Sequence, residues 1–350
     1  MPDPADPNTT PLREAEPAEA GLSADGLAEA RRWLDETSGE RPYRCVVVRN
    51  GLVAAQWSRG MSADRKVAIA SAVKSVYSNL LGVAVAEGKL KSADELVVDH
   101  YPEMMDVREG QGNKPGRYAF EANRGITFRH LITNTSGYMK PGELPGRTFN
   151  YQSWGMSVLT HAIAKLYGLY DVRDPEGSPG FAPLVREKIA EPIGASFECP
   201  VGNPAYNDRL RPGARLDVFG YFTGIETTPM DFARLGWMWC RGGRWGDRQV
   251  VPEAWMRETT VTAPDIVAHC PPEQWCYGHG FWTNDRGVLW PGPEPLPRSG
   301  FTAAGAGGHY CSVFPEQGLV VVQNPGPYHK DIGTAHANPP LLSRILDACL

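Results

Sequence analysis

Ser71 and Lys74 form the one SxxK pair in the chain, within the stretch IASAVKSVYSNLLGVAVAEG (residues 69–88), whose apolar content predicts a long helix. Three residues apart on a helix, a serine and a lysine share one face, with Cβ atoms about 5–6 Å apart, so the amine can reach the hydroxyl and help take its proton. That makes Ser71 a candidate nucleophile and Lys74 its base, provided that burial or a neighbouring cation lowers the lysine pKa. Taken alone, the pair also describes a capping serine and a snorkelling lysine, so the reading depends on helpers elsewhere.

Two distant segments supply them. Tyr151, in PGRTFNYQSWG, is a phenol able to accept the serine proton and return it to a leaving group. Ser153 either bonds to the substrate or Lys74, or caps the helix that follows. In FTAAGAGGHYCSVFP (residues 301–315), read as a strand and its entry, the glycines at 305, 307 and 308 remove side chains where a substrate would lie. A backbone N–H there can join that of Ser71 as an oxyanion hole, the first feature that points to acyl transfer. His309 beside those glycines is either a cleft residue or a structural histidine.

The elements that must carry these groups follow from pattern. Residues 1–20 are rich in Pro, Ala and acidic groups and predict a disordered tail. SADGLAEARRWLDETS reads as a helix capped by Ser23, and YRCVVVRNGLVAAQWS as a hairpin turning at Asn50-Gly51. The middle is helical: Ser92 and Glu95 form a capping box in SADELVVDHYPEM, TFRHLITNTSGY closes at Gly137, SWGMSVLTHAIAKLYG stops near Gly168, and Thr228 caps TTPMDFARLGWMWCRGG. Strands return in CYGHGFWTND, GHYCSVF and LVVVQ, and PPLLSRILDACL is a final helix. The expected organisation is a sheet subdomain from residues 21–68 and 241–350, a helical subdomain over 69–240, and an active site in the cleft between them.

Composition bounds the function. The 350 residues, 42% hydrophobic with a formal net charge of −5 and no Lys/Arg cluster overriding it, suit a globular enzyme and argue against nucleic acid as a partner. No apolar run reaches the roughly 18 residues that a membrane span needs, and the N-terminal segment has no basic, apolar leader pattern, so a cytoplasmic location is expected. Seven cysteines without CxxC spacing suggest neither a disulfide framework nor a zinc site. HExxH, GxSxG and GxxxxGKS are all missing, and no cofactor or metal is expected.

The order SxxK, ITFRHLITNTSGY, YQS about 80 residues after the serine, TTPMDFARLG and AAGAGGHY resembles the serine β-lactamase-like superfamily across roughly residues 23–325. The nearest members in pattern are class C β-lactamases, DD-peptidase-like penicillin-binding proteins and family VIII carboxylesterases. The resemblance implies an α/β fold of the β-lactamase/transpeptidase type, an antiparallel sheet flanked by helices with a helical subdomain inserted. It implies Ser71 as the acylated nucleophile, Lys74 as its proton partner and Tyr151 as general base. The family's KTG strand motif aligns with Ala303-Ala304-Gly305, placing the oxyanion N–H groups at Ser71 and Ala306; an alternative register sets Arg298-Ser299-Gly300 there. Ser153 replaces the asparagine of the family's YxN, and Ala303 the basic residue that meets a substrate carboxylate. Both changes remove grips that penicillins and D-Ala-D-Ala peptides need, which favours carboxylic ester hydrolysis. Trp154, Trp237, Trp239, Trp275, Trp282 and Trp290 would suit an apolar substrate group or simply the core. The alternatives are β-lactam or D-amino-peptide hydrolysis, other amide cleavage or acyl transfer at the same serine, with a small ester, amide or lactam as partner. A silent relative that only binds a ligand in the cleft is a further alternative.

Overall fold

The computed structural model describes residues 12–201, 213–292, 295–326 and 338–350. Its centre is a seven-stranded sheet: β1 Arg13–Glu14, β2 Tyr43–Arg49, β3 Leu52–Arg59, β4 Trp282–Thr283, β5 Phe301–Gly305, β6 His309–Phe314 and β7 Leu319–Gln323. They lie in the order β1-β3-β2-β7-β6-β5-β4. Every pairing is antiparallel except that of β1 with β3. Residues from both ends of the chain therefore share one sheet, and its parallel edge strand makes it mixed.

Strand alternation assigns the two faces. Val46, Val48, Val320 and Val322 point into one buried cluster, with the helical region. Cys45, Val47, Leu319 and Val321 point into the other, with the terminal helices α1 (Ala24–Ser38) and α6 (Pro339–Asp347). Both faces of the central strands are covered, which is why β2 and β7 read as continuous valine runs rather than as alternating ones. The hairpin turns at Asn50 and Gly51 with φ of 54° and 79°. Those left-handed angles are the ones a two-residue type I′ turn requires. Ser23 caps α1, its Oγ accepting the Gly26 N–H at 3.2 Å.

Four elements around the cleft complete the frame: α2 (Val73–Ala86), α3 (Phe128–Ile132), α4 (Trp154–Leu166) and α5 (Pro229–Cys240). Helix α2 is buried continuously from Val73 to Ala84, so it is a core helix rather than an amphipathic surface one. Helix α5, grouped by sequence pattern with the helical region, lies on the sheet instead. A Cβ at Gly236 would come within 2.5 Å of Cys311 Sγ and Val320 Cγ1, so the glycine sets the helix-to-sheet spacing.

Several local expectations are corrected. The tail does not extend to residue 20: Arg13–Glu14 joins the sheet edge and Ala20 is fully buried. The Ser92–Glu95 capping box does not form. The Asp94 N–H donates to Ser92 Oγ in a local turn, the Glu95 carboxylate takes the Lys91 N–H, and the only helix there is Val97–His100. The stretch CYGHGFWTND yields only the two-residue β4, because Gly278 and Gly280 press against the backbone of Thr259 and Lys74 instead of running straight. FTAAGAGGHYCSVF is two strands, β5 and β6, folded about a turn in which Gly307 and Gly308 have φ of 93° and 83°.

Candidate active site

The turn before α2 places Ser71. Ile69 is tied down by its N–H to Ile225 O at 3.0 Å, and Ala70 then takes a left-handed φ of 48°. That conformation costs a non-glycine residue about 1–2 kcal/mol, a strain commonly kept at functional turns. A short 3-10 turn, Ala70–Ala72, leads straight into α2, so Ser71 sits at the helix entrance with Lys74 one turn further in.

Strand β5 abuts this turn. A Cβ on Gly305 would fall 2.0 Å from Ile69 O and 3.2 Å from Ala70 Cβ, so only glycine allows this approach. We expect Gly305→Val to push the strand from the Ser71 turn, lowering turnover about 10²-fold and stability by about 1–3 kcal/mol. Ester turnover and thermal unfolding measured together would check both parts.

Lys74 Nζ donates a hydrogen bond to Ser71 Oγ at 2.9 Å. The lysine is only 3% exposed, and burial pulls its pKa down to about 7. An amine in that range is neutral in a large share of molecules near pH 7 and can therefore accept a proton. Its side chain extends from the core helix, and Nζ lies 4.6 Å from the Tyr151 ring centroid, against the ring face.

Tyr151 is held by its loop and by other rings. Asn134, with φ of 58°, accepts the Gln152 N–H on Oδ1 at 3.0 Å and the Asn150 N–H on its carbonyl at 2.9 Å. It also donates from Nδ2 to the Tyr277 hydroxyl at 3.2 Å. Tyr277 and Trp282 in turn pack on the Tyr151 ring at centroid distances of 5.6 and 5.3 Å. Asn134 thus clamps the Tyr151 loop at both sides, a role that ITFRHLITNTSGY did not reveal because it depends on a left-handed residue beyond the short helix.

Two cavities meet at Ser71. One, of about 450 Å³, is bordered by Ser71, Lys74, Ser153 and Ala306 and walled by apolar groups such as Tyr77 and Met156. The other, of about 480 Å³, is bordered by Ser71, Tyr151 and Ser153 and walled by polar groups. Ser153 stands at the start of α4, but its side chain makes no capping bond, leaving the hydroxyl at the junction of the two cavities.

Other sequence candidates lie further back. Ala303 is fully buried in the core cluster beneath the sheet and borders neither cavity. His309 Nδ1 pairs with Asn324 Oδ1 at 3.0 Å, and burial lowers its pKa. Arg298 donates from Nη1 to Asp285 O, and the space beside Gly300 is filled by Trp290 and Phe314, so Arg298-Ser299-Gly300 has other neighbours than Ser71. Of the tryptophans, Trp154 reaches the polar cavity and Trp282 packs on Tyr151, while Trp237 and Trp239 belong to the core. Among the described residues no cluster of His, Cys, Asp or Glu is arranged to hold a metal ion, and no helix is long and apolar enough to cross a membrane.

Residues 43–323 match the family model described as Beta-lactamase. Solved structures share the fold at low identity. A candidate β-lactamase from Bacteroides dorei DSM 17855 is 20% identical with a TM-score of 0.65, over 93% of this chain and 98% of its own. A penicillin-binding protein homologue from Caulobacter crescentus is 18% identical at 0.63, over 94% and 98%. A family VIII carboxylesterase is 15% identical at 0.62, again over 94% and 98%. No curated protein matches the sequence.

Proposed function

The chain belongs to the β-lactamase family, a family of serine hydrolases, and on that premise we propose that it hydrolyses carboxylic esters through an acyl-enzyme on Ser71. The observation that carries this reading is the 2.9 Å contact between Ser71 Oγ and a buried Lys74 whose pKa lies at about 7. Ser71 Oγ attacks the ester carbonyl carbon while its proton passes to the Lys74–Tyr151 pair. The resulting oxyanion is met by the N–H groups of Ser71 and Ala306, which border one cavity. Collapse breaks the bond to the leaving oxygen, which receives the proton from the pair. Water then repeats the sequence on the acyl-enzyme, releasing the carboxylic acid and restoring Ser71.

Esters are favoured over β-lactams by what the cleft lacks along β5: Ala303 is turned into the core where relatives in pattern carry a basic side chain. Solved neighbours include a carboxylesterase, a β-lactamase and a candidate 6-aminohexanoate-dimer hydrolase, so ester, lactam and amide cleavage are the reactions to compare. We expect p-nitrophenyl butyrate to be turned over well above nitrocefin when both are assayed on one preparation. A nitrocefin rate far above the ester rate would reverse the assignment, and inactivity on both with no mass adduct would remove it.

A further inference from the structure

The polar cavity on the Tyr151 side of Ser71 is positively charged, against the sign of the chain as a whole. Its wall includes Lys114, Arg117 and Lys140 with the amides of Asn113, Asn150 and Gln152, and no carboxylate is among the described residues that line it. The chain carries a formal net charge of −5, so three cations around one cavity are not a by-product of composition. Neither Lys114 nor Arg117 forms an ion pair among the described residues. Lys140 is 8% exposed, and its Nζ has no hydrogen-bond partner. Lys140 forms a long ion pair with Glu143 Oε2 at 3.6 Å, and Glu143 is partly engaged elsewhere, its Oε1 accepting from Asn150 Nδ2 at 3.1 Å. Burial lowers the Lys140 pKa, Glu143 works against it, and Arg117 and Lys114 add to the lowering, which places the three cations in one electrostatic neighbourhood.

Buried, under-compensated positive charge is costly unless something negative completes it. An anionic substrate group would do so, receiving charge-assisted bonds from Arg117 and Lys114 at the mouth and the field of Lys140 beneath. The division of labour at Ser71 says which half of the substrate this is. Ala306, the proposed oxyanion donor, borders only the apolar cavity, whereas Tyr151, the proposed proton donor to the leaving group, borders only the cationic one.

We propose that the substrate's leaving group carries a carboxylate, held in the cationic cavity by Arg117, Lys114 and Lys140, while an apolar acyl group occupies the other cavity. The assignment of halves rests on the acyl-enzyme reading above, but the carboxylate site itself does not.

The test separates binding from turnover by using 3-hydroxybenzoate and its neutral isostere 3-hydroxybenzamide, the leaving groups of two matched butyrate esters. By titration calorimetry on the wild-type protein, the carboxylate should bind about tenfold or more tighter than the amide at low salt, with the advantage shrinking in 0.5 M NaCl. Arg117→Gln/Lys114→Gln, at residues exposed enough not to threaten folding, and Lys140→Met should each bring the two affinities toward equality. Equal binding by the wild type, or a preference that survives both variants, overturns the carboxylate site whether or not either ester is hydrolysed. If the carboxylate site holds, the butyrate of 3-hydroxybenzoate should also exceed that of the amide in kcat/KM, and equal values would overturn the assignment to the leaving group. Absence of turnover with intact carboxylate binding would instead count against the acyl-enzyme.

Discussion

Replacing Ser71 by alanine is expected to reduce ester turnover about 10⁴-fold or more, since nucleophile and base act as one unit and little survives when either is gone. The fold should tolerate the change. Ser71 Oγ has Lys74 Nζ as its hydrogen-bond partner among the described residues, and losing one such bond costs about 1 kcal/mol. The measurement is a paired one: initial rates on p-nitrophenyl butyrate, and intact mass after mixing with a slowly deacylating ester. Wild-type protein should gain the acyl mass and Ser71→Ala should not. An adduct that persists on the variant, or activity within tenfold of wild type, would place the nucleophile elsewhere.

How much of this was legible in the sequence differs by feature, for physical reasons. The hairpin at Asn50-Gly51 and the caps at Ser23 and Thr228 are local, set by residues within a turn of one another, and they occur where the pattern puts them. The β-lactamase-type fold was also legible, because ordered motifs over most of the chain report a shared topology. What escaped depends on tertiary contact. Gly278 and Gly280 interrupt a stretch of good strand formers because the α2 backbone and the 259–261 segment press on them. Arg13–Glu14 looks like tail until the exposed edge of β3 offers it a partner. The cationic wall was invisible for the same reason: Lys114 and Arg117 sit in a polar loop, Lys140 follows another turn, and nothing in their spacing signals that both loops face Ser71. Asn134 could have been flagged, since an asparagine just past a short helix is a common left-handed residue, but its grip on the Tyr151 loop could not.

The second large effect centres on Lys74, and its sign can be worked out. Burial takes its pKa from 10.5 to about 7, which at 1.36 kcal/mol per unit corresponds to a few kcal/mol disfavouring the charged form. The Tyr151 ring face 4.6 Å away favours the ammonium, but such contacts contribute about 0.5–2 kcal/mol, so burial prevails. Two consequences follow. The rate should rise with pH and level off above about 7, because in the proposed mechanism the neutral amine is the form that takes the serine proton. Stability behaves differently: between about 7 and 10.5 the unfolded chain binds a proton at this site that the folded chain does not, so folding is strengthened as pH rises through that window. Below it, the charged lysine must be carried inside and the destabilisation is at its full value. Lys74→Met, similar in shape and uncharged, should therefore lose about 10³-fold or more in turnover yet unfold at a higher temperature than wild type at pH 6, by an amount that shrinks toward zero as pH approaches 10.5. Lys74→Arg keeps a charge that cannot be given up, and should be inactive and less stable across the whole range. Thermal melts of the three proteins at pH 6, 8 and 10, beside a pH–rate profile of the wild type, measure both effects. A Lys74→Met melting advantage that does not change with pH would mean the buried amine is not the titrating group, and a flat rate profile between pH 5.5 and 8.5 would remove Lys74 as the base.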